Sequence, residues 1–451
     1  MSGIWLFTVI VLGVGFIIFT TAKLKLQPFL SLLFAAFLVG IFAGLPLNTV
    51  VEAVNGGFGG LMGYIGIVIV AGTIIGTILE KSGAALRMAE VVLRLVGEKR
   101  PQLAMSLIGA IVSIPVFCDS GYVILSSLKK ALAKRAKVAL ASMSVALATG
   151  LYATHTLVPP TPGPIAAAGN IGASDYLGTI ILIGLIVAIP TILAGYLWAI
   201  KVASKIEIEG EEELDLDYDE IVKSFGELPS TFKSFAPIVL PILLIGAGSV
   251  VSFFQWKGGA ADVLLFIGSP VVALLIGVLS AFALMPKWNE ETLNGWVTQG
   301  MKDATDILLI TGAGGAFGSV IKATPVAELI QGIADGGLLS GALVLLIPFI
   351  VAALLKSAQG SSTAALVITS SLIAPLLPQM GIDGAVPLAL VVMAIGAGAM
   401  TVSHVNDSYF WVVTQFSGMK VTDAYKAQTA ATLVQGLTAL VFTLLLWVIL
   451  V

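Results

Sequence analysis

Residues Ile111–Thr161 read IVSIPVFCDSGYVILSSLKKALAKRAKVALASMSVALATGLYATHTLVPPT. The run is apolar enough for a bilayer, yet Asp119, Ser120, Gly121, His155 and Pro159–Pro160 interrupt it. In the second half the design recurs: KSAQGSSTAALVITSSL over Lys356–Leu372 is followed by AIGAGAMTVSHVNDSYFWVV over Ala394–Val413. The two histidines of the chain, His155 and His404, fall at corresponding places in the two stretches. Everything else reads as scaffold around these interrupted segments.

Composition sets the solvent. Hydrophobic residues fill 58% of 451 positions and charged residues 11%, against about 45–50% and about 25% in soluble domains. The fold class expected is an all-α polytopic membrane protein, its partner the lipid bilayer. The 49 glycines suit packed membrane helices, where small residues let backbones approach. No basic tail suggests a nucleic-acid partner. Cys118 is the single cysteine, so there is no intramolecular disulfide and no thiolate metal cluster; no metal or other cofactor is expected. Before its apolar run the N-terminus has no basic residue, so it reads as a retained first span rather than a cleaved signal.

Basic residues collect in short cytoplasmic loops, and their placement orients the chain. With the N-terminus outside, Lys23, Lys25 and the clusters Lys81–Arg100 and Lys129–Lys137 lie inside. Both clusters share one side only if Leu103–Leu128 enters and leaves from that side, as a re-entrant hairpin turning near Asp119-Ser120-Gly121. Non-helical backbone at that depth must be buried in protein or line a cavity. Candidate crossings include Tyr64–Leu79, Val263–Met285 and Ile307–Ile321. The C-terminus also falls outside, with Lys257, Lys322 and Lys356. The acidic stretch within 201–234 reads as a cytoplasmic linker between an N-terminal repeat, 1–200, with its hairpin near 103–128, and a C-terminal repeat, 235–451, with its hairpin near 340–377.

The halves pair position by position: Gly72 and Gly76 with Gly314 and Gly318, Gly121 with Gly360, His155 with His404. Two inverted-topology repeats with interrupted segments are the architecture of secondary transporters, which bind substrate and ions near the midplane where the breaks meet. An ionised carboxylate there is expensive unless paired or hydrated, which makes Asp119 and Asp407 candidates for proton coupling; both could also serve as helix caps. His155 and His404 titrate near neutrality and could relay protons. Half-helix starts suit a carboxylate. The hairpin runs Ser120-Gly121-Tyr122 and Gln359-Gly360-Ser361-Ser362-Thr363, with Ser403 and Asn406, would bind a polyhydroxylated anion. Pro159 and Pro160 stop the helix after His155, which turns Thr154, Thr156 and Thr161 toward the same cavity. With no lysine expected between the flanks of either tip, dipoles rather than an ion pair would meet the anion's charge.

At Pro115–Leu128 (PVFCDSGYVILSSL) and Ala153–Asn170 (ATHTLVPPTPGPIAAAGN) the chain resembles the gluconate permease family of bacterial inner-membrane transporters, within the larger ion transporter superfamily. The likeness continues through KSAQGSSTAALV and SHVNDSYFWV and so covers most of the chain. It implies symport of protons with gluconate, another sugar acid such as fructuronate, glycerate or D-serine. It also implies an elevator-type arrangement of scaffold and transport domains, a homodimer, and a multi-pass place in the inner membrane. Sodium is the alternative coupling ion and a passive channel the alternative transport class. An embedded enzyme using Ser408, His404 and Asp407 is the third class; the chain has no HExxH and no GxSxG, so no enzyme is expected.

Overall fold

The computed structural model describes residues 3–97, 100–208, 226–325, 341–405 and 407–451. All of their regular secondary structure is helical. The expected linker falls largely outside the described residues, as does Asn406.

Apolar runs bounded by Pro, Gly and Ser set the helices of the first half. These are α1 (Gly3–Ala22), α2 (Pro28–Phe42), α3 (Leu47–Lys81), α4 (Ala84–Val96), α5 (Pro101–Val112), α6 (Cys118–Ile124), α7 (Ser126–Ala136), α8 (Leu140–Leu157), α9 (Pro162–Asn170) and α10 (Leu177–Lys201). The second half continues with α11 (Thr231–Phe253), α12 (Gly259–Ile267), α13 (Pro270–Phe282), α14 (Val297–Ala323), α15 (Leu346–Gln359), α16 (Ser362–Ile373), α17 (Ala385–Met400), α18 (Ser408–Ser417) and α19 (Ala430–Leu450). Among the described residues, 6 helices are long and apolar enough to cross a membrane, or 7 if the bent pair α12–α13 is one span.

Three expectations about spans change. Tyr64–Leu79 and Ile307–Ile321 are the middles of much longer helices, α3 with 35 residues and α14 with 27. Val263–Met285 is not one rod but α12 and α13, bent by 65° at Gly268–Ser269. The bend has a local cause. A Cβ on Gly268 would lie 2.6 Å from the Leu244 carbonyl oxygen, and Pro270 forces the preceding Ser269 to extended backbone (ψ 138).

In the stretch expected as the first hairpin, the helix breaks at Ser113–Phe117, while Asp119, Ser120 and Gly121 already belong to α6. At about 1.5 Å per residue, the 12 residues of α5 and 7 of α6 each fall short of a hydrocarbon layer about 30 Å thick. In the stretch expected as the second hairpin, Gly360 (φ 89) closes α15 in the left-handed region, and Ser361 caps α16 by accepting from Ala364 N at 3.2 Å. Two lysines assigned to the surface are fully buried, Lys129 and Lys356, each at 0% exposure.

The core is α8, buried along its whole length. Small residues make this possible. A Cβ on Gly109 of α5 would stand 2.7 Å from the Leu147 carbonyl oxygen, and one on Gly150 would collide with the Ser106 carbonyl, so α5 and α8 touch backbone to backbone. Gln435 of α19 donates to the carbonyls of Thr149 in α8 at 2.9 Å and Thr191 in α10 at 3.2 Å. The longest helices, α3 and α14, pack together and cross where Gly57 meets Gly315 with no side chain between them.

Candidate functional site

Four breaks in helical structure meet inside the molecule: Ser113–Phe117, Val158–Thr161, Gly360–Ser361 and the segment from Thr401 to Asp407. Gly72 and Gly76 of α3 face the carbonyl oxygens of Pro160 and Pro115 respectively. Being four residues apart, they hold the first two breaks within about 6 Å along the helix. Across the second pair, Lys356 at the end of α15 binds both the Gly360 carbonyl and Asp407. The pairs join through Asp119, whose carboxyl faces the Ser408 hydroxyl and lies within electrostatic reach of Asp407 and Lys356.

Each break has a sequence cause. Pro159 and Pro160, joined by a cis peptide bond, lack the N–H groups that would extend α8, and Pro162 opens α9 at a position where no N–H is needed. After α17, Thr401 turns extended and Val402 adopts φ 55, an uncommon conformation for a β-branched residue. Such an outlier persists where surrounding bonds fix it. Here Ser403 N donates to Thr432 Oγ1 at 3.0 Å, and Thr429 Oγ1 donates to the Ser403 carbonyl at 2.5 Å.

The charged centre is tight. Lys356 Nζ lies 2.5 Å from Asp407 Oδ2, which also accepts from Ser403 Oγ at 2.5 Å. Asp407 Oδ1 accepts from Tyr409 N at 3.1 Å and so caps α18. Asp407 thus fills both roles the sequence suggests, cap and buried carboxylate. Asp119 Oδ1, by contrast, is buried with no hydrogen-bond partner. Two carboxylates therefore face one ammonium.

Aromatic rings wall this centre. Tyr152 stacks on Tyr409 with centroids 5.1 Å apart and on His155 at 6.5 Å, and Lys356 Nζ lies 5.7 Å from the Tyr152 centroid. His155 is 3% exposed, and its Nδ1 has no partner. Next to the cluster, the hydroxyl-bearing Ser361 and Ser408 remain exposed while Ser362 is buried. Small hydroxyls at an opening beside a buried charge suit a polar anion.

Several predicted residues have other partners. Gly121 is a packing position, 2.7 Å from Leu151 Cδ2 if a Cβ were added, and not a counterpart of the turn-forming Gly360. Tyr122 belongs to a separate network: its hydroxyl lies 2.6 Å from Ser417 Oγ and accepts from Lys129 Nζ at 3.0 Å. Thr154 ties α8 to α5 by donating to the Ala110 carbonyl at 2.8 Å; Thr156 and Thr161 donate to nearby carbonyls, those of Tyr152 and Val158. Ser120 faces Glu80 of α3. Thr363 sits beside Gly163 of α9, and the buried Gln359 amide nitrogen has no partner. The histidines are not equivalent: His155 lies within α8, whereas His404 lies in the break after α17, its Nε2 2.9 Å from the Ser357 carbonyl oxygen.

Lys356 is the residue the sequence reading missed. Counting it among outside charges left the site without a cation, whereas Lys356 is buried inside it and paired with Asp407. A local signal existed, a single lysine four residues before the helix-ending Gly360 in an otherwise apolar run.

A cavity of about 590 Å³ lies at the far ends of α9 and α16, against α3 and α14. Glycines floor much of it; its polar lining includes Tyr64, Asn170, Ser319, Lys322, Ser371 and Asp383. Asn170 Nδ2 bonds the Val367 carbonyl at 3.0 Å and Ser370 Oγ at 2.8 Å, tying α9 to α16.

The chain has relatives along its full length. The GntP family permease profile matches residues 5–449. The chain is 37% identical over 425 residues to an uncharacterized permease of Haemophilus influenzae, covering 91% of this chain and 85% of that one. It is 33% identical over 442 residues to a gluconate permease of Pseudomonas aeruginosa, covering 97% and 96%. In three dimensions it superimposes on the YdaH transporter of Alcanivorax borkumensis with a TM-score of 0.68 at 15% identity, over 93% of this chain and 98% of the other, a likeness of fold. This chain is therefore a multi-pass membrane transporter belonging to the GntP family of permeases.

Proposed function

We propose that this permease takes up gluconate or a closely related sugar acid together with protons across the bacterial inner membrane. The observation that supports it most is the buried trio Asp119, Lys356 and Asp407 beside the starts of α16 and α18. Ionisable groups enclosed at membrane depth mark ion and substrate pathways, and relatives named gluconate permease favour a hydroxylated monocarboxylate. In this scheme Asp119 and Asp407 hold the coupling proton, with His155 and His404 as relays. The hydroxyls and amides of Gln359, Ser361, Ser362, Thr363 and Ser403 meet the polyol chain. The repeated order of hairpin followed by broken helix, α5–α6 then α8–α9 and α15–α16 then α17–α18, supports inverted repeats working as an elevator, with a homodimer as the expected assembly.

The test is uptake into proteoliposomes. Saturable gluconate accumulation is expected under an inward proton gradient and not under an inward sodium gradient, and Asp119→Asn abolishes accumulation. Accumulation indifferent to the proton gradient removes the coupling claim. A thermal-shift panel of gluconate, fructuronate, glycerate and D-serine ranks the substrates.

A further inference from the structure

We infer that Lys356 is the anchor for the substrate's carboxylate, kept occupied by Asp407 in the empty carrier and released when the Asp119–Asp407 pair takes up one proton. This rests on the reading of the chain as a proton-coupled monocarboxylate carrier and adds the device that links the two ligands.

The geometry leaves Lys356 few other roles. Its side chain is 0% exposed and its ammonium has two oxygen partners, the Gly360 carbonyl at the hairpin tip and Asp407 Oδ2. A buried ion pair is a poor way to gain stability, because desolvating two charges offsets most of their attraction. Here the pair also stands at the one place where hairpin, break and half-helix starts converge. Asp407 is tied into α18 as its cap and held by Ser403, so its position is fixed whether or not Lys356 is bound to it. Lys356 ends a flexible stem and can turn to another carboxylate with little rearrangement. The exposed residues Ser361 and Ser408 stand beside the pair, at the starts of α16 and α18.

Charge counting links the anchor to the proton. With both acids ionised, the two carboxylates and one ammonium sum to one negative charge, and a further anion is repelled. Two acids that interact electrostatically, as Asp119 and Asp407 do around Lys356, share the binding of a proton. One proton on the pair neutralises the competing carboxylate, so the ammonium is free to take the substrate's. The proton comes from the water on the side where the site is open and returns to water on the other side, as the substrate anion leaves and Asp407 rejoins Lys356. Adding one proton and one monocarboxylate leaves the total charge of the site unchanged, so loaded and empty carriers cross with the same charge. The other titratable groups facing the pair are Cys118 on α6, Tyr152 and His155 on α8 and Tyr409 on α18, with His404 against Ser357.

Binding of labelled gluconate to the purified protein, from mildly acidic to mildly alkaline pH, tests this. Wild-type affinity is expected to fall as pH rises. In D119N/D407N both proton acceptors are gone and Lys356 stays charged; binding is expected to lose its pH dependence and, at alkaline pH, to exceed wild type by about tenfold or more. K356Q/D407N holds a neutral pair of similar size, so it is expected to fold, as judged by a cooperative melt. It should bind gluconate about 100-fold more weakly at every pH, as when a buried charged partner is lost, and no longer prefer gluconate over glucitol, which lacks the carboxylate. Gluconate binding by folded K356Q/D407N within threefold of wild type, or a wild-type pH profile in D119N/D407N, overturns the inference. A readout on wild type needs no variant: an imposed membrane potential leaves the steady-state accumulation of gluconate unchanged, and accumulation driven by the potential alone overturns the charge count. If wild type accumulates no gluconate under a proton gradient, the functional proposal fails instead. The binding arms are then read with whichever small monocarboxylate raises the melting temperature.

Discussion

Gly150→Ala tests how the first hairpin is held. The added methyl would sit on the Ser106 carbonyl, with Ser106 C at 2.9 Å and Ser106 Cα at 3.0 Å. These are backbone atoms, so no rotamer change relieves the clash. Since carbon atoms prefer separations of about 3.5–4.0 Å, α5 must retreat from α8 by roughly 0.5–1 Å. The bond from Thr154 Oγ1 to the Ala110 carbonyl, one turn along and 2.8 Å long, then stretches to about 3.5 Å, the edge of a useful hydrogen bond. Overpacking costs about 1–3 kcal/mol and the weakened bond about 0.5–1.5 kcal/mol. A total near 2–4 kcal/mol should appear as a clearly lower midpoint in detergent unfolding, with transport reduced because α5 leads into the turn before Asp119. Ser106→Gly should not rescue the variant, because the obstacle is main chain. Wild-type stability in Gly150→Ala, or rescue by Ser106→Gly, refutes the packing described for α5 and α8.

Other perturbations separate the remaining roles. Asp407→Asn retains a capable N-cap but strands a buried ammonium, so it is expected to lose about 3–5 kcal/mol; Lys356→Met in the same chain should recover most of that, read in a double-mutant cycle of unfolding midpoints. Asn170→Ala removes the donors that join α9 to α16 while Ser370 and Ser371 keep their own carbonyl acceptors, so a loss of only about 1–2 kcal/mol is expected. Among the described residues, Lys322 is the sole basic one lining the 590 Å³ cavity. Lys322→Gln should raise KM for an anionic substrate at low salt, lose that effect at high salt, and leave kcat unchanged; a change in kcat would place Lys322 in the transport step itself.

Much of this architecture follows from local chemistry that a sequence displays. Polar and proline interruptions inside apolar runs mark the breaks after α8 and α15, because Pro159–Pro160 removes helix donors and a glycine followed by serines supplies a helix end and a following cap. Positions that depend on distant partners were not legible. Lys356 and Lys129 look like interface charges until Asp407, 51 residues away, and Ser417, 288 residues away, come into contact with them. The 65° bend between α12 and α13 depends on Gly268 finding the backbone of α11. The turn of the first hairpin was misplaced because Asp-Ser-Gly has the composition of a turn, yet in this chain it opens a helix whose preceding residues make the reversal. The matching of His155 with His404 was true of sequence spacing and not of surroundings, since one break begins three residues beyond its histidine and the other encloses its histidine.

At the crossing of α3 and α14, neither strand of chain offers anything larger than a hydrogen atom. Gly57 and Gly315 also belong to the wall of the cavity beside α9 and α16. The bore of that chamber is thus set by two methyl groups that are not there. Restoring either one would press a methyl group onto the main-chain carbonyl of the opposite helix and wedge the two longest rods apart.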